Sequence, residues 1–220
     1  MTAEPASRPL RKDAARNRAL LVQAAREVFA ERGLEASLDD VAHHARLGVG
    51  TAYRHFANKY ELAQAILAEA IEQVIDLADR SAEAPDPWEG LVAFIEGVAE
   101  LQSCDRGLRE VLMGVHDPER MEQVSERFTA PLRRIVERAK DAERIRPDVE
   151  ATDVGIVVMM LCTVADITSD ATPDLWRRYL PMLLEGLRTG AEPPVPPLSD
   201  DVLRKAMNTH KQRLARTYQR

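Results

Sequence analysis

The chain has 220 residues, of which 45% are hydrophobic, 30% charged and only 5% aromatic, a soluble globular balance long enough for one large or two small domains with a real core. A formal charge of −6 excludes a nucleic-acid polycation along the whole length. The charge is divided, however: residues 1–59 hold ten Lys or Arg against seven Asp or Glu, a net of +3, which leaves −9 for residues 60–220, so a basic head precedes an acidic body.

Alanine, leucine, arginine and glutamate dominate, which favours helix over sheet. The first predicted helix is Arg16–Arg32, with Leu21, Ala25, Val28 and Phe29 on one face and Gly33 as its stop. Ser37-Leu38-Asp39-Asp40 reads as a capping box opening a helix to about Arg46. Leu47-Gly48-Val49 reads as a tight glycine turn, and Gly50–Phe56 as a short second helix. Asn58, with Glu61 three residues on, caps a long helix from Lys59 to about Ser81, whose apolar face runs through Leu62, Ile66, Ala70 and Val74.

Ala82–Pro87 is a loop, and Asp86-Pro87 is a helix start with proline at the first helical position. Asp117-Pro118 and Thr172-Pro173 repeat that signal and predict helices from near 118 and 173. Met121, Val124, Phe128, Leu132, Ile135 and Ala139 keep helical spacing around Pro131, which predicts a kink or two helices. Thr152 is the expected cap of an apolar helix 153–169, and Pro181 is expected to bend a helix 174–189. Pro193–Pro197 is a proline-rich linker, beyond which 199–217 reads as a last basic helix or as disorder. No stretch shows a convincing strand pattern.

The longest near-apolar run, Val154–Ala165, is too short to cross a bilayer, and Met1–Leu20 lacks the apolar core of a secretory signal. The two cysteines, Cys104 and Cys162, form no CxxC pair, which fits a reduced cytoplasmic setting. His43 and His44 are adjacent, so on a helix they point about 100° apart and do not readily share one ion. No metal and no cofactor are expected. No nucleophile with a partner base, no glycine-rich phosphate loop and no metal cluster is visible, so an enzyme is not expected.

Two short helices joined by a glycine turn are the sign of a helix-turn-helix. The second bears Tyr53, Arg54 and His55 in a row behind small residues, so its N-terminus can enter a major groove about 12 Å wide. Tyr53 can offer a hydroxyl to phosphate and a ring to thymine methyls, and His55 and Lys59 can reach phosphates.

The run Ser37-Leu38-Asp39-Asp40-Val41-Ala42, then Leu47–Phe56 and Asn58-Lys59-Tyr60-Glu61-Leu62, together with Ala24–Gly33, resembles the DNA-binding domain of tetracycline-repressor (TetR) family regulators over about residues 14–66. The resemblance implies an all-α fold. Its N-terminal part would be a three-helix helix-turn-helix DNA-binding domain, its C-terminal part a helical ligand-binding and dimerisation domain. It also implies a homodimer on double-stranded DNA at a palindromic operator, released by a small-molecule effector. Matched position by position, Gly50, Thr51, Tyr53 and His55 would contact DNA, Lys59 would hold a phosphate, and Ser37 and Leu38 would meet the backbone. Arg54 falls at a variable position and becomes a candidate for operator-specific readout.

In that architecture the last two main helices pair between subunits, which here points to Leu175, Tyr179, Met182, Leu183 and Leu187 as the dimer stripe. Phe94, Met113, Phe128, Met159 and Cys162 are candidate pocket residues, although such residues also serve as plain core. Asp166, an acid on an apolar helix, would meet a cationic or hydrogen-bonding ligand or else sit at an exposed helix end.

The expected organisation is a basic arm over 1–12, a DNA-binding domain over 13–58, a ligand-binding and dimerisation domain over 59–192, and a linker with basic tail over 193–220. The basic residues Arg8, Arg11, Lys12, Arg16 and Arg18 read either as extra phosphate or minor-groove contacts or as a solvated tail. The expected function is a cytoplasmic DNA-binding repressor with no membrane partner. The competing class is an all-helical ligand-binding or scaffold protein without DNA binding, against which Gly50, Thr51, Tyr53, His55 and Lys59 argue.

Overall fold

A computed structural model describes residues 8–104, 118–190, 193–203, 205–206 and 209, with side chains from Asp13 onward except those of 104, 118–126 and 128. The described elements are helices: α1 (Arg8–Arg32), a 3-10 turn (Gly33–Glu35), α2 (Leu38–His44), α3 (Val49–His55), α4 (Lys59–Ala82), α5 (Pro87–Cys104), α6 (Pro118–Asp141), α7 (Ala151–Ile167) and α8 (Trp176–Arg188). The chain divides into two compact units, and the division falls inside α4, after Glu69.

In the first unit α1 packs on α2 and α3, and α2 on α3. Leu21, Ala25, Phe29, Val41, Ala42, Ala52, Leu62, Ala63 and Ile66 are fully buried there. Local caps fix the short helices. The Ser37 hydroxyl accepts from Asp40 N at 3.1 Å, and the Asp40 carboxylate accepts from Ser37 N at 2.8 Å, the reciprocal box expected of α2. Asn58 Oδ1 accepts from Tyr60 N at 2.9 Å and Glu61 N at 3.0 Å, while Glu61 Oε2 accepts from Ala57 N at 2.6 Å.

In the second unit α5 packs against α6 and α7, and α7 against α8. Leu91, Phe94, Ile95, Ile135, Ala139, Val154, Leu161 and Trp176 lie at its centre. Asp86 Oδ1 opens α5 by accepting from Trp88 N at 2.7 Å and Glu89 N at 3.3 Å.

Several boundaries differ from the sequence reading. α1 begins at Arg8 rather than Arg16, because its first turns carry helix-forming residues without an apolar stripe to reveal them. The cap of α7 is Glu150, which forms a capping box with Asp153; Thr152 is inside the helix and buried, its hydroxyl without a hydrogen-bond partner. α8 starts at Trp176 because residues after Thr172 first take tight turns, with Leu175 N donating to Thr172 O and Arg177 N to Asp174 O, both at 3.0 Å. Residues 118–141 form one helix with Pro131 inside it.

The glycine turn is also differently built. Gly48 is the extended N-cap of α3, at φ −66°, and the left-handed residue of the turn is Arg46, at φ +55°. Leu47 N donates to Ala42 O at 2.9 Å and Arg46 N to His43 O at 3.0 Å. That pair of bonds is a Schellman closure, in which Arg46 occupies the place a glycine usually takes.

Candidate nucleic-acid interface

α3 has seven residues and two anchors. Ala52 inside the helix and Phe56, the extended residue that caps its C-terminus, are both buried. That leaves Gly50, Tyr53 and Arg54 exposed, with Thr51 and His55 half-buried at the edges. Tyr53 is 53% exposed, which for an aromatic ring on a short helix is a surface to be met rather than packed. Nothing lies within 4 Å of the Cβ that Gly50 lacks, so the backbone there is open to close approach.

The charges around α3 are arranged, not scattered. Hydrogen bonding to the Asp39 carboxylate first, and then its negative charge, hold the Tyr53 phenol above its ordinary value. Asp40 is held down at about 2 by the Ser37 hydroxyl first, then the Ser37 N–H and Arg32; Arg32 lies 3.0 Å away. The Arg18 guanidinium lies 5.2 Å from the Phe56 ring centroid, beside the end of α3.

The other expected DNA contacts take different places. The Leu38 side chain belongs to the core, at 2% exposure, so only its backbone at the start of α2 faces outward. Ser37 is exposed but already serves as the α2 cap. Lys59 is half-buried and its ammonium donates to the Leu34 carbonyl, which ties α4 to the turn after α1. The sequence offered Arg18 as one of the basic arm residues but did not signal Asp39 beside Tyr53 or the left-handed Arg46, since nothing in local spacing shows which surface residue will meet another helix.

In the second unit Phe94 is buried, and Cys162 is half-buried with its thiol pushed up to about 12 by burial. Met159 is exposed at 37%, so it does not face the interior, and Asp166 is exposed in the last turn of α7, the surface alternative for that acid. Met113 lies outside the described residues, as does the side chain of Phe128. Tyr179 and Met182 are exposed and Leu175 and Leu183 half-buried, whereas Leu187 joins Trp176, Leu180 and Leu184 on the inward stripe of α8. Leu187 therefore departs from the expected subunit-facing set: it is eleven residues after Trp176, about three turns, and shares its face. Among the described residues no group of three or more His, Cys, Asp or Glu could hold a metal ion, and no helix is long and apolar enough to cross a membrane.

Comparison with known proteins agrees with this geometry. Residues 21–66 match the family profile "Bacterial regulatory proteins, tetR family", and residues 86–189 match "Transcriptional regulator SbtR-like, C-terminal domain". The transcriptional repressor BepR of Brucella suis is 29% identical over 153 residues, 68% of each chain. A TetR transcription regulatory protein from Mycobacterium vanbaalenii shares the structure at a TM-score of 0.62 and 28% identity, over 82% of this chain and 100% of that one. SmeT, solved in complex with triclosan, shares the fold at a TM-score of 0.59 and 19% identity, over 83% of this chain and 98% of its own. These relatives regulate transcription and are not enzymes. The chain belongs to the TetR family of helix-turn-helix transcriptional regulators.

Proposed function

We propose that this regulator is a homodimeric repressor that holds a palindromic operator in double-stranded DNA and lets go when a small molecule binds its C-terminal unit. The observation that carries the reading is the division of α3 and its C-cap into a buried pair, Ala52 and Phe56, and an exposed set, Gly50, Tyr53 and Arg54. A helix so anchored can enter a major groove N-terminus first. Tyr53 and Arg54 then meet base edges, while Thr51, His55, Lys59 and the backbone at Ser37 and Leu38 meet phosphates. One of the three donors of Lys59 is engaged by Leu34, which leaves two for a phosphate.

Repression is favoured by the likeness to BepR, a named repressor. A dimer is needed to place two copies of α3 about 34–36 Å apart, one turn of DNA. The exposed Tyr179 and Met182, with Leu175 and Leu183 beside them, supply an apolar face for that contact. Ligand release is favoured by the fold shared with SmeT, itself solved with triclosan. Phe94 and Cys162 are the interior residues proposed to line such a pocket. A ligand acts only through a preference for the DNA-free state. The working division is a DNA-binding domain over 13–58, a ligand and dimer domain over 59–192, a basic arm before them and a linker with basic tail after, all acting on DNA in the cytoplasm.

The test begins with duplexes selected from a random-sequence pool by the full-length protein. Tyr53→Ala and Arg54→Ala are expected to lose the preference for the selected duplex over a scrambled one in gel shifts. Lys59→Ala is expected to weaken both alike and to lower the salt slope by about 1 per subunit. Wild-type binding by Tyr53→Ala and Arg54→Ala would remove α3 from the interface. A monomer in sedimentation at the binding concentration would remove the dimer.

A further inference from the structure

Trp176 opens α8 as one of the largest fully buried side chains, at 1% exposure, and its indole N–H has no hydrogen-bond partner among the described residues. A buried tryptophan usually finds an acceptor for that donor, and leaving it unmet in an apolar interior costs the full loss of its hydration. The indole belongs to the buried cluster of the second unit, together with Ile95, Val98 and Ala99 of α5 and Leu161 and Ala165 of α7. Those side chains carry no acceptor. A buried water needs about two to four polar partners, which such apolar side chains do not supply, so water is a poor partner for this donor.

The ring is held in place. The Arg177 guanidinium lies over it, 4.4 Å from its centroid, and pairs in turn with Glu96 and Glu100 of α5, each at 2.9 Å. A cation over an indole face is attracted by the ring electrons, and by drawing on them it makes the N–H a stronger donor. The interior around the ring excludes charge. Among the described residues the buried polar side chains are those of Ser81 and Thr152, and no charged side chain is buried. An ion taken inside would lose its hydration with no counter-charge to replace it. Cys162 of α7 is in keeping, since burial pushes its thiol up to about 12 and it stays neutral.

We propose that the C-terminal unit takes up an uncharged, mainly apolar small molecule carrying a hydrogen-bond acceptor, such as a carbonyl oxygen, to which Trp176 Nε1–H donates. The proposal rests on the ligand reading given above and names the chemistry of that ligand. The acceptor satisfies a donor that folding leaves unmet, and the apolar body joins the cluster around the ring. A site with a fixed donor and no counter-charge discriminates both against a hydrocarbon without an acceptor and against an ion. Thr152, the other buried side chain without a partner, lies at the opposite end of α7 from the connection to α8, so it is outside this site and serves as a control.

The experiment uses the full-length protein with isotope-labelled tryptophan, whose two indole N–H signals in magnetic resonance belong to Trp88 and Trp176 and are assigned by Trp88→Phe. In the free protein the Trp176 signal is expected in the upfield range of an indole without an acceptor. Acetophenone or cyclohexanone should move it downfield, whereas ethylbenzene and methylcyclohexane, of similar shape but without the carbonyl, should not. Trp176→Phe is expected to weaken acetophenone about 3- to 10-fold more than ethylbenzene, and Thr152→Val to weaken both alike or neither. A Trp176 signal already downfield in the free protein would overturn the proposal. So would no movement with either ketone, equal losses of acetophenone and ethylbenzene in Trp176→Phe, or benzoate or benzylamine binding as tightly as acetophenone. If Trp176→Phe fails to fold by circular dichroism, the indole shifts of the Trp88→Phe protein decide alone. A ketone that moves the signal yet leaves the protein on its selected duplex would instead count against release by ligand, not against the indole donor.

Discussion

His44 Nε2 stands 2.6 Å from Oε2 of Glu27 and so links the first helix of the helix-turn-helix to α1. Gln23 donates to the other oxygen of the same carboxylate at 3.0 Å. These two bonds, Gln23 first and His44 second, hold Glu27 below its ordinary value of 4.5.

The pH dependence follows from the sign of that shift. A lowered carboxylate adds stability above its unfolded value and loses it as pH falls through the folded one. Both partners are about half exposed, so solvent screening limits the effect to under about 1 kcal/mol. In urea unfolding, Glu27→Gln is expected to be slightly less stable than wild type at pH 7, with the gap closing below about pH 4.5. A gap that widens in acid would contradict this role for the pair.

Ser37 holds α2 through a hydroxyl that also keeps Asp40 ionised down to about pH 2. Ser37→Ala is expected to cost about 0.5–2 kcal/mol. The loss should be read by thermal unfolding at neutral pH, where the capping box is fully formed, and Ser37→Asn should restore most of it.

Arg46 is the strained residue of the turn, and Gly48 is not. Arg46→Gly relieves a left-handed conformation costing about 1–2 kcal/mol, against about 0.5–1 kcal/mol of added chain entropy in the unfolded state. A net gain of up to about 1 kcal/mol in denaturant unfolding is expected. Gly48→Ser should gain a few tenths more by supplying the hydroxyl cap that α3 lacks.

Gly90 and Gly97 both let α5 approach α4, yet they should respond differently. A Cβ at Gly90 would overlap the Ser81 carbonyl oxygen, which is backbone and cannot move alone. At Gly97 the nearest atom is Leu77 Cδ2, 2.6 Å away on a side chain that can rotate. Gly90→Ala is therefore expected to lose about 1–3 kcal/mol or more in urea unfolding, and Gly97→Ala clearly less. The reverse order would mean that the α4–α5 contact is not set by backbone approach.

Tyr53 offers a spectroscopic check on the DNA-facing surface. Its hydroxyl should ionise above the ordinary value of 10.0, because Asp39 accepts a hydrogen bond from the neutral phenol and repels the phenolate. Absorbance titration of wild type minus Tyr53→Phe isolates this group. Asp39→Asn is expected to bring its midpoint back down.

The amino-acid sequence by itself determined what depends on neighbours within about four positions. The helical class, the α2 capping box and the Asn58 and Asp86 caps are all of this kind, because caps and helical periodicity are local geometry. Tertiary structure decided which face of each helix turns inward, where Lys59 spends a donor, that Leu187 rather than Tyr179 enters the core, and that an arginine takes the left-handed place at 46. These outcomes depend on what lies opposite. An apolar stripe read from spacing alone has no direction until another helix covers one side of it, and a surface charge has no partner until the fold brings one within reach.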